Sequence, residues 1–331
     1  MMRTVKTMRW WMLALLVGCD DGGEAGSPAL EVGDAQRQEA DAASAADAGA
    51  DRLDAAQVAD FSVDSALPDM AVDAAQAATP PAEPRAYSGG TCPEFAAGRN
   101  TFTAGDEERT FDLFLPPDPT GRPLLFMWHP LGSNARQIAT FLGAARAAEE
   151  HGFVIAVPES LRTQTEWGYF GSPTDDLALF DDLYSCLTSQ YGLDRTRTYT
   201  IGFSAGALWS SYLVVHRAEY LTAAVILSGG VGVFSRYQTP AYRLPVLLAW
   251  GGPTDQYGGV INFQETTYAF RDALRADEHT VVMCGHDGGH VPPPAVAGWG
   301  YDFLDAHTVR NGESPVNPET WTLPAICSLA E

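Results

Sequence analysis

Between Gly202 and Gly206 the chain reads Gly-Phe-Ser-Ala-Gly, at the end of a β-prone run and the start of an apolar helical one. Glycine on each flank permits the sharp strand-to-helix turn that lifts a serine hydroxyl clear of a sheet edge, which makes Ser204 the candidate nucleophile. A hydroxyl is a weak nucleophile until a base removes its proton, so a histidine must come from elsewhere. Of the seven histidines, His151, His216, His279 and His307 fall on or beside expected helices. His129 ends an expected strand and reads as a brace for its own loop. The stretch "CGHDGGHVPPP" places two more in a loop past the last expected strand. His290, after two flexible glycines and before three stiffening prolines, is the expected base; His286 is the second candidate. The group His286, Asp287 and His290 lacks the helical spacing that converges metal ligands, so no metal site is expected, and no motif calls for a cofactor.

The base needs an acid to hold its tautomer and stabilise the imidazolium. Asp255 is the first carboxylate beyond the apolar run Pro245 to Ala249 and is the expected acid. A nearer candidate in sequence, Asp287, sits too close to His290 to reach its far nitrogen. Charge developing on a carbonyl oxygen calls for two backbone N–H donors. Ala205, next after the serine, supplies one. Pro130 has no N–H, so the other is expected from Leu131, in the loop after the strand that ends at Trp128. The aromatic loop residues Trp167, Tyr169, Phe170, Trp250 and Tyr257 are candidates to line a substrate pocket.

These groups need a scaffold that delivers loops to one edge. Short apolar runs at 110–115, 124–128, 153–157, 197–201, 223–227, 245–249 and 280–284 read as strands. Between them, 135–150, 175–191, 207–216, 263–276 and 299–307 read as helices. Such alternation predicts an α/β domain with a doubly wound, mostly parallel sheet covered by helices on both faces. In that architecture the active groups gather at the carboxyl ends of the strands, where Ser204, Asp255, His290 and the 129–134 loop all fall.

Length and composition bound the rest. The chain has 331 residues and a formal net charge of −22. Residues 1–18 carry Arg3, Lys6 and Arg9 ahead of an apolar core too short to span a bilayer, as a signal peptide does. Leu16-Val17-Gly18-Cys19 resembles the lipobox of bacterial lipoproteins, which implies a lipidated Cys19 and a membrane-held protein of the cell envelope. Residues 19–86, rich in alanine and aspartate, bury too little apolar surface to offset ordering entropy and read as a disordered tether. Asp20 to Arg85 alone holds 15 acids and 3 bases. Phosphate would be repelled by so acidic a chain, so a nucleic-acid partner is not expected. Residues 87–331 remain as the catalytic domain. Its four cysteines, Cys92, Cys186, Cys284 and Cys327, suggest disulfides in an exported protein, with a staple from Cys92 to Cys327 near the two domain ends as the preferred pairing. Oligomeric state is not readable.

With these residues in place, the chain resembles the polyhydroxybutyrate depolymerase and feruloyl or acetyl-xylan esterase branch of the α/β-hydrolases. "PLLFMWHPLGSNA" is similar to that group's strand and oxyanion loop, "DRTRTYTIGFSAGALW" to its strand and nucleophile elbow, and "CGHDGGHVPP" to its terminal histidine loop. Chain order, serine then acid then histidine, is that of α/β-hydrolases. The resemblance implies an α/β-hydrolase fold, a Ser204, Asp255, His290 triad and hydrolysis of carboxylic esters of polyhydroxyalkanoate, feruloyl or acetylated-polysaccharide type. Two departures stand out: Pro130 replaces a glycine of the oxyanion loop, and the acid loop reads "GGPTDQYGG". The alternative functions are a non-catalytic carbohydrate- or polymer-binding surface protein on the same fold and a serine peptidase.

Overall fold

The structure is a computed structural model that describes residues 79–161, 167–170, 174–232, 235–293, 295–308, 310–312, 314–316 and 323–330. Cys19, the signal peptide and most of the tether lie outside the described residues. The strands are β1 (Gly98–Ala104), β2 (Glu107–Phe114), β3 (Leu124–Trp128), β4 (Val154–Pro158), β5 (Thr198–Phe203), β6 (Ala223–Leu227), β7 (Val246–Trp250), β8 (Gln256–Tyr257), β9 (Ile261–Asn262), β10 (Val281–Gly285) and β11 (Cys327–Leu329). The helices are α1 (Ala135–Leu142), α2 (Ala144–Glu150), α3 (Thr174–Tyr191), α4 (Ala205–His216), α5 (Phe263–Ala276) and α6 (Val296–Ala306).

One sheet runs in the order β1-β2-β4-β3-β5-β6-β7-β10-β11, and its six strands from β4 to β10 are mutually parallel. Burial follows from this topology. Strand β3 is fully buried because Leu124, Phe126 and Trp128 pack into the core shared with α3 and α4, while Leu125 and Met127 pack into the opposite core shared with α1 and α2. A strand covered on both faces is continuously apolar, as the sequence shows it to be.

Three features differ from the sequence expectation. The expected helix over 135–150 is broken at Gly143, whose φ of 69° ends α1 and begins α2. Strands β1 and β11 add antiparallel edges that carry little apolar alternation of their own. The pairing of cysteines is Cys92–Cys186 and Cys284–Cys327, not the Cys92–Cys327 staple. Register explains the second bond, since Cys284 on β10 faces Cys327 on β11 directly. The first follows from α3: Gln190 of that helix hydrogen-bonds both Phe95 N–H and Phe95 carbonyl, which brings the preceding segment onto the helix face that carries Cys186.

Packing against the domain also starts upstream of residue 87. The Thr79 N–H donates to the Arg310 carbonyl at 2.6 Å, and the buried Arg310 guanidinium donates back to the carbonyls of Thr79 and Pro80. Glu83 pairs with Arg195 at 2.8 Å. Composition hides these contacts because they are made by backbone and single charges.

Several histidines are buried as neutral groups. In His307 the Nδ1–H donates to the Phe303 carbonyl at 2.6 Å, so Nε2 accepts from the Ser314 hydroxyl, and burial lowers its pKa to about 4. The unfolded chain, with an ordinary histidine near 6.5, then binds more protons than the folded one between those values. Stability is therefore expected to be full above about pH 6.5 and to fall toward pH 4, by up to about 3 kcal/mol from His307. Burial lowers the pKa of His129 and His279 as well, which adds in the same direction. Urea midpoints at pH 7.5 and pH 5 check this; an unmoved midpoint contradicts it.

Candidate active site

Strand β5 delivers Phe203 and Ser204 to the carboxyl edge of the sheet, and α4 starts at once. The turn between them holds Ser204 at φ 54° and ψ −119°, a conformation that a side-chain-bearing residue adopts only under constraint. Both glycines are required by close approach. A Cβ on Gly202 would overlap the Gly206 carbonyl, and one on Gly206 would overlap the Trp128 carbonyl. The second contact presses the elbow against the 129–134 loop, which carries Leu131. The Leu131 N–H makes no hydrogen bond among the described residues, and Ala205 is the first residue of α4, where an N–H has no acceptor within the helix.

His290 reaches both partners expected of it. Its Nε2 lies 2.9 Å from the Ser204 Oγ and its Nδ1 lies 2.7 Å from Asp255 Oδ1. Asp255 is completely buried, and its other oxygen accepts from the Ser228 hydroxyl at 2.7 Å and the Gly251 N–H at 2.8 Å. A carboxylate out of water needs such donors. With Asp255 accepting at Nδ1, that nitrogen carries the proton and Nε2 is left to accept from the serine. The ring is clamped between Phe263, stacked at 4.5 Å, and Phe203 at 4.9 Å.

The two loops that carry acid and base are laced together. His286 N–H donates to the Trp250 carbonyl at 3.0 Å and Gly289 N–H to the Gly251 carbonyl at 2.9 Å. A Cβ on Gly251 would overlap the Gly289 carbonyl, and Gly289 takes a φ of 71°, so each loop has its own reason for a glycine. His286 itself is not brought to Ser204; its Nδ1 accepts from the Gly288 N–H at 3.1 Å. Among the described residues no cluster of three or more metal-ligating side chains occurs.

The remaining candidates separate. Tyr257, half exposed on the β8–β9 hairpin of the "GGPTDQYGG" loop, lies 6.2 Å from the His290 ring, beside the triad. Trp167 is buried, not open to a ligand: its Nε1 donates to the His129 carbonyl at 2.9 Å and its ring packs edge-on against Trp128. Tyr169 is buried in the same core. Trp250 faces a different cavity of about 490 Å³ between α5, β10 and β11, together with Tyr268 and Met283. The side chain of Phe170 lies outside the described residues. His129 does brace its loop, with Nδ1–H donating to the Pro130 carbonyl at 3.1 Å and Nε2 accepting from the Ser160 N–H at 3.3 Å; burial lowers its pKa.

Sequence reasoning missed Ser228, Phe203 and Phe263. Ser228 had a usable signal, since it directly follows the apolar run 223–227 and precedes Gly229-Gly230. Phe263 had none, because its place beside His290 depends on the hairpin that precedes α5.

The sheet order and this edge can be set beside known structures. The native crystal structure of pOPH superposes with a TM-score of 0.60 over 72% of this chain and 97% of that one, at 18% identity. The native structure of sOPH gives 0.59 over 72% and 96%, also at 18% identity. This chain has an α/β-hydrolase fold. Among curated proteins, the chain is 25% identical over 117 residues to feruloyl esterase D of Neurospora crassa, which covers 32% of this chain and 39% of that protein. It is also 25% identical over 143 residues to NocK of Nocardia uniformis subsp. tsuyamanensis, a protein named for esterase activity, covering 41% of each. The chain thus spans about two fifths of the length of these curated relatives. No protein-family model matches it.

Proposed function

We propose that the domain is a serine esterase that cleaves carboxylic esters through an acyl-enzyme. The observation that supports it is the continuous hydrogen-bond chain Asp255, His290, Ser204 at the carboxyl edge of an α/β-hydrolase sheet. In this reading Ser204 Oγ attacks the ester carbon as its proton passes to His290 Nε2. Negative charge on the carbonyl oxygen is met by the N–H groups of Leu131 and Ala205. Collapse of the tetrahedral species breaks the bond to the alcohol, which leaves with the proton from His290. Water, deprotonated by the same nitrogen, then releases the acid and regenerates the serine. Asp255 keeps the proton of the neutral ring on Nδ1 and offsets the imidazolium charge.

Polyhydroxyalkanoate, feruloyl and acetylated-polysaccharide esters are the substrate types carried by the sequence resemblance. Export and anchoring through Cys19 belong to the same proposal; two disulfides suit an oxidising compartment. A fluorophosphonate probe is expected to label Ser204 and to abolish hydrolysis of short p-nitrophenyl esters in proportion to labelling. A folded sample that neither labels nor turns over would select the non-catalytic binding protein instead, and amide cleavage without ester cleavage would select the peptidase.

A further inference from the structure

A second cavity opens beside the triad, between the oxyanion loop, α1 and the histidine loop. It has a volume of about 290 Å³ and is lined by Pro130, Ile138, Phe141, Phe203 and Pro292. Three of its walls adjoin groups the proposed reaction uses. Pro130 precedes Leu131, Phe203 precedes Ser204 and packs on the His290 ring, and Pro292 follows His290 by two residues. Two polar side chains at the rim, Ser133 and Gln137, hydrogen-bond to each other at 3.0 Å. Among the described residues no cation lines the cavity. Phe141 is 54% exposed.

Resting on the esterase reading, we infer that this cavity holds one half of the ester and selects a compact, uncharged, apolar group there. The volume is at the small end of ligand pockets, which run from about 300 to 1,000 Å³, so it takes one short chain or one ring. A carboxylate placed in it would lose water without gaining a partner. The acidity of the chain, −22 overall, disfavours an anion further. A sugar ring would leave most of its hydroxyls unpaired against carbon walls. Pro130 is thereby explained as well: where a glycine would leave the loop bare, its ring supplies apolar wall.

Matched substrate pairs test this on each half of the ester. For the acyl half the pair is p-nitrophenyl butyrate and p-nitrophenyl hemisuccinate; for the alcohol half it is phenyl acetate and 4-carboxyphenyl acetate. In at least one pair the uncharged ester is expected to have the higher kcat/KM by about tenfold or more, the range that a single pocket contact commands. Phe141→Lys is expected to narrow that ratio by about tenfold, because the ammonium now pairs with the carboxylate. Phe141→Ala should lower the apolar ester alone. Phe141 is exposed enough for either variant to fold. Equal rates within both pairs, or ratios that Phe141→Lys leaves unmoved, would overturn the assignment while leaving the esterase reading intact. Absence of any Ser204-dependent turnover would instead sink the esterase reading itself.

Discussion

Replacement of Ser204 by alanine is expected to lower ester hydrolysis by roughly 10⁴-fold or more, with KM changed little. The loss is confined to kcat because the substitution removes the atom that forms the acyl bond and touches no wall of the apolar cavity. Whatever rate survives would come from the backbone donors and from binding. Folding should be nearly indifferent, since Ser204 makes no side-chain cap to α4 and its hydroxyl is placed against His290 alone in the triad. The check pairs steady-state kinetics with thermal unfolding: a variant that melts with the parent yet retains a tenth of its kcat would rule out Ser204 as the nucleophile.

The second large effect belongs to Asp255. In Asp255→Asn the new amide either donates to His290 Nδ1 or presents its carbonyl oxygen, and the buried donors Ser228 and Gly251 claim that oxygen first. The amide nitrogen is then left facing Nδ1, which must accept, so the ring proton moves to Nε2. An Nε2–H cannot take the serine's proton, and kcat is expected to fall by roughly 10⁴-fold at neutral pH. Ser228→Ala is the milder companion. It keeps the charge on Asp255 and the Gly251 donor but removes one hydrogen bond to a buried carboxylate, about 1.5 kcal/mol or about tenfold in kcat. Measured together, the two separate tautomer control from simple support. Equal losses in both variants would mean that Asp255 acts only as a packed structural acid.

Much of this site is readable along the chain because its parts are local. The elbow is five consecutive residues, and its glycines are dictated by backbone approach within one turn. Asp255 and His290 each lie just past an apolar strand, and the parallel βα pattern sends every such end to one edge. Those signals depend only on periodicity and on where strands stop. By contrast, the break at Gly143, the hairpin that lifts Tyr257, and the clamp of Phe203 and Phe263 on His290 leave no periodic trace. Aromatic residues in loops look alike in sequence, whether they seal a core, as Trp167 does, or stand beside the triad, as Tyr257 does.

By itself, then, the sequence determined which residues meet in the triad and in what kind of sheet, since alternation, glycine placement and chain order are short-range constraints. Tertiary structure decided the partners of those residues. It paired Cys284 with Cys327 because β11 returns antiparallel beside β10, and it gave Asp255 the Ser228 hydroxyl from the end of a neighbouring strand. It also turned Trp250 toward a different cavity and closed an apolar pocket with Phe141 from α1. Each of those outcomes joins segments tens of residues apart, and such contacts are set by how whole elements pack against one another, not by the residues that flank them.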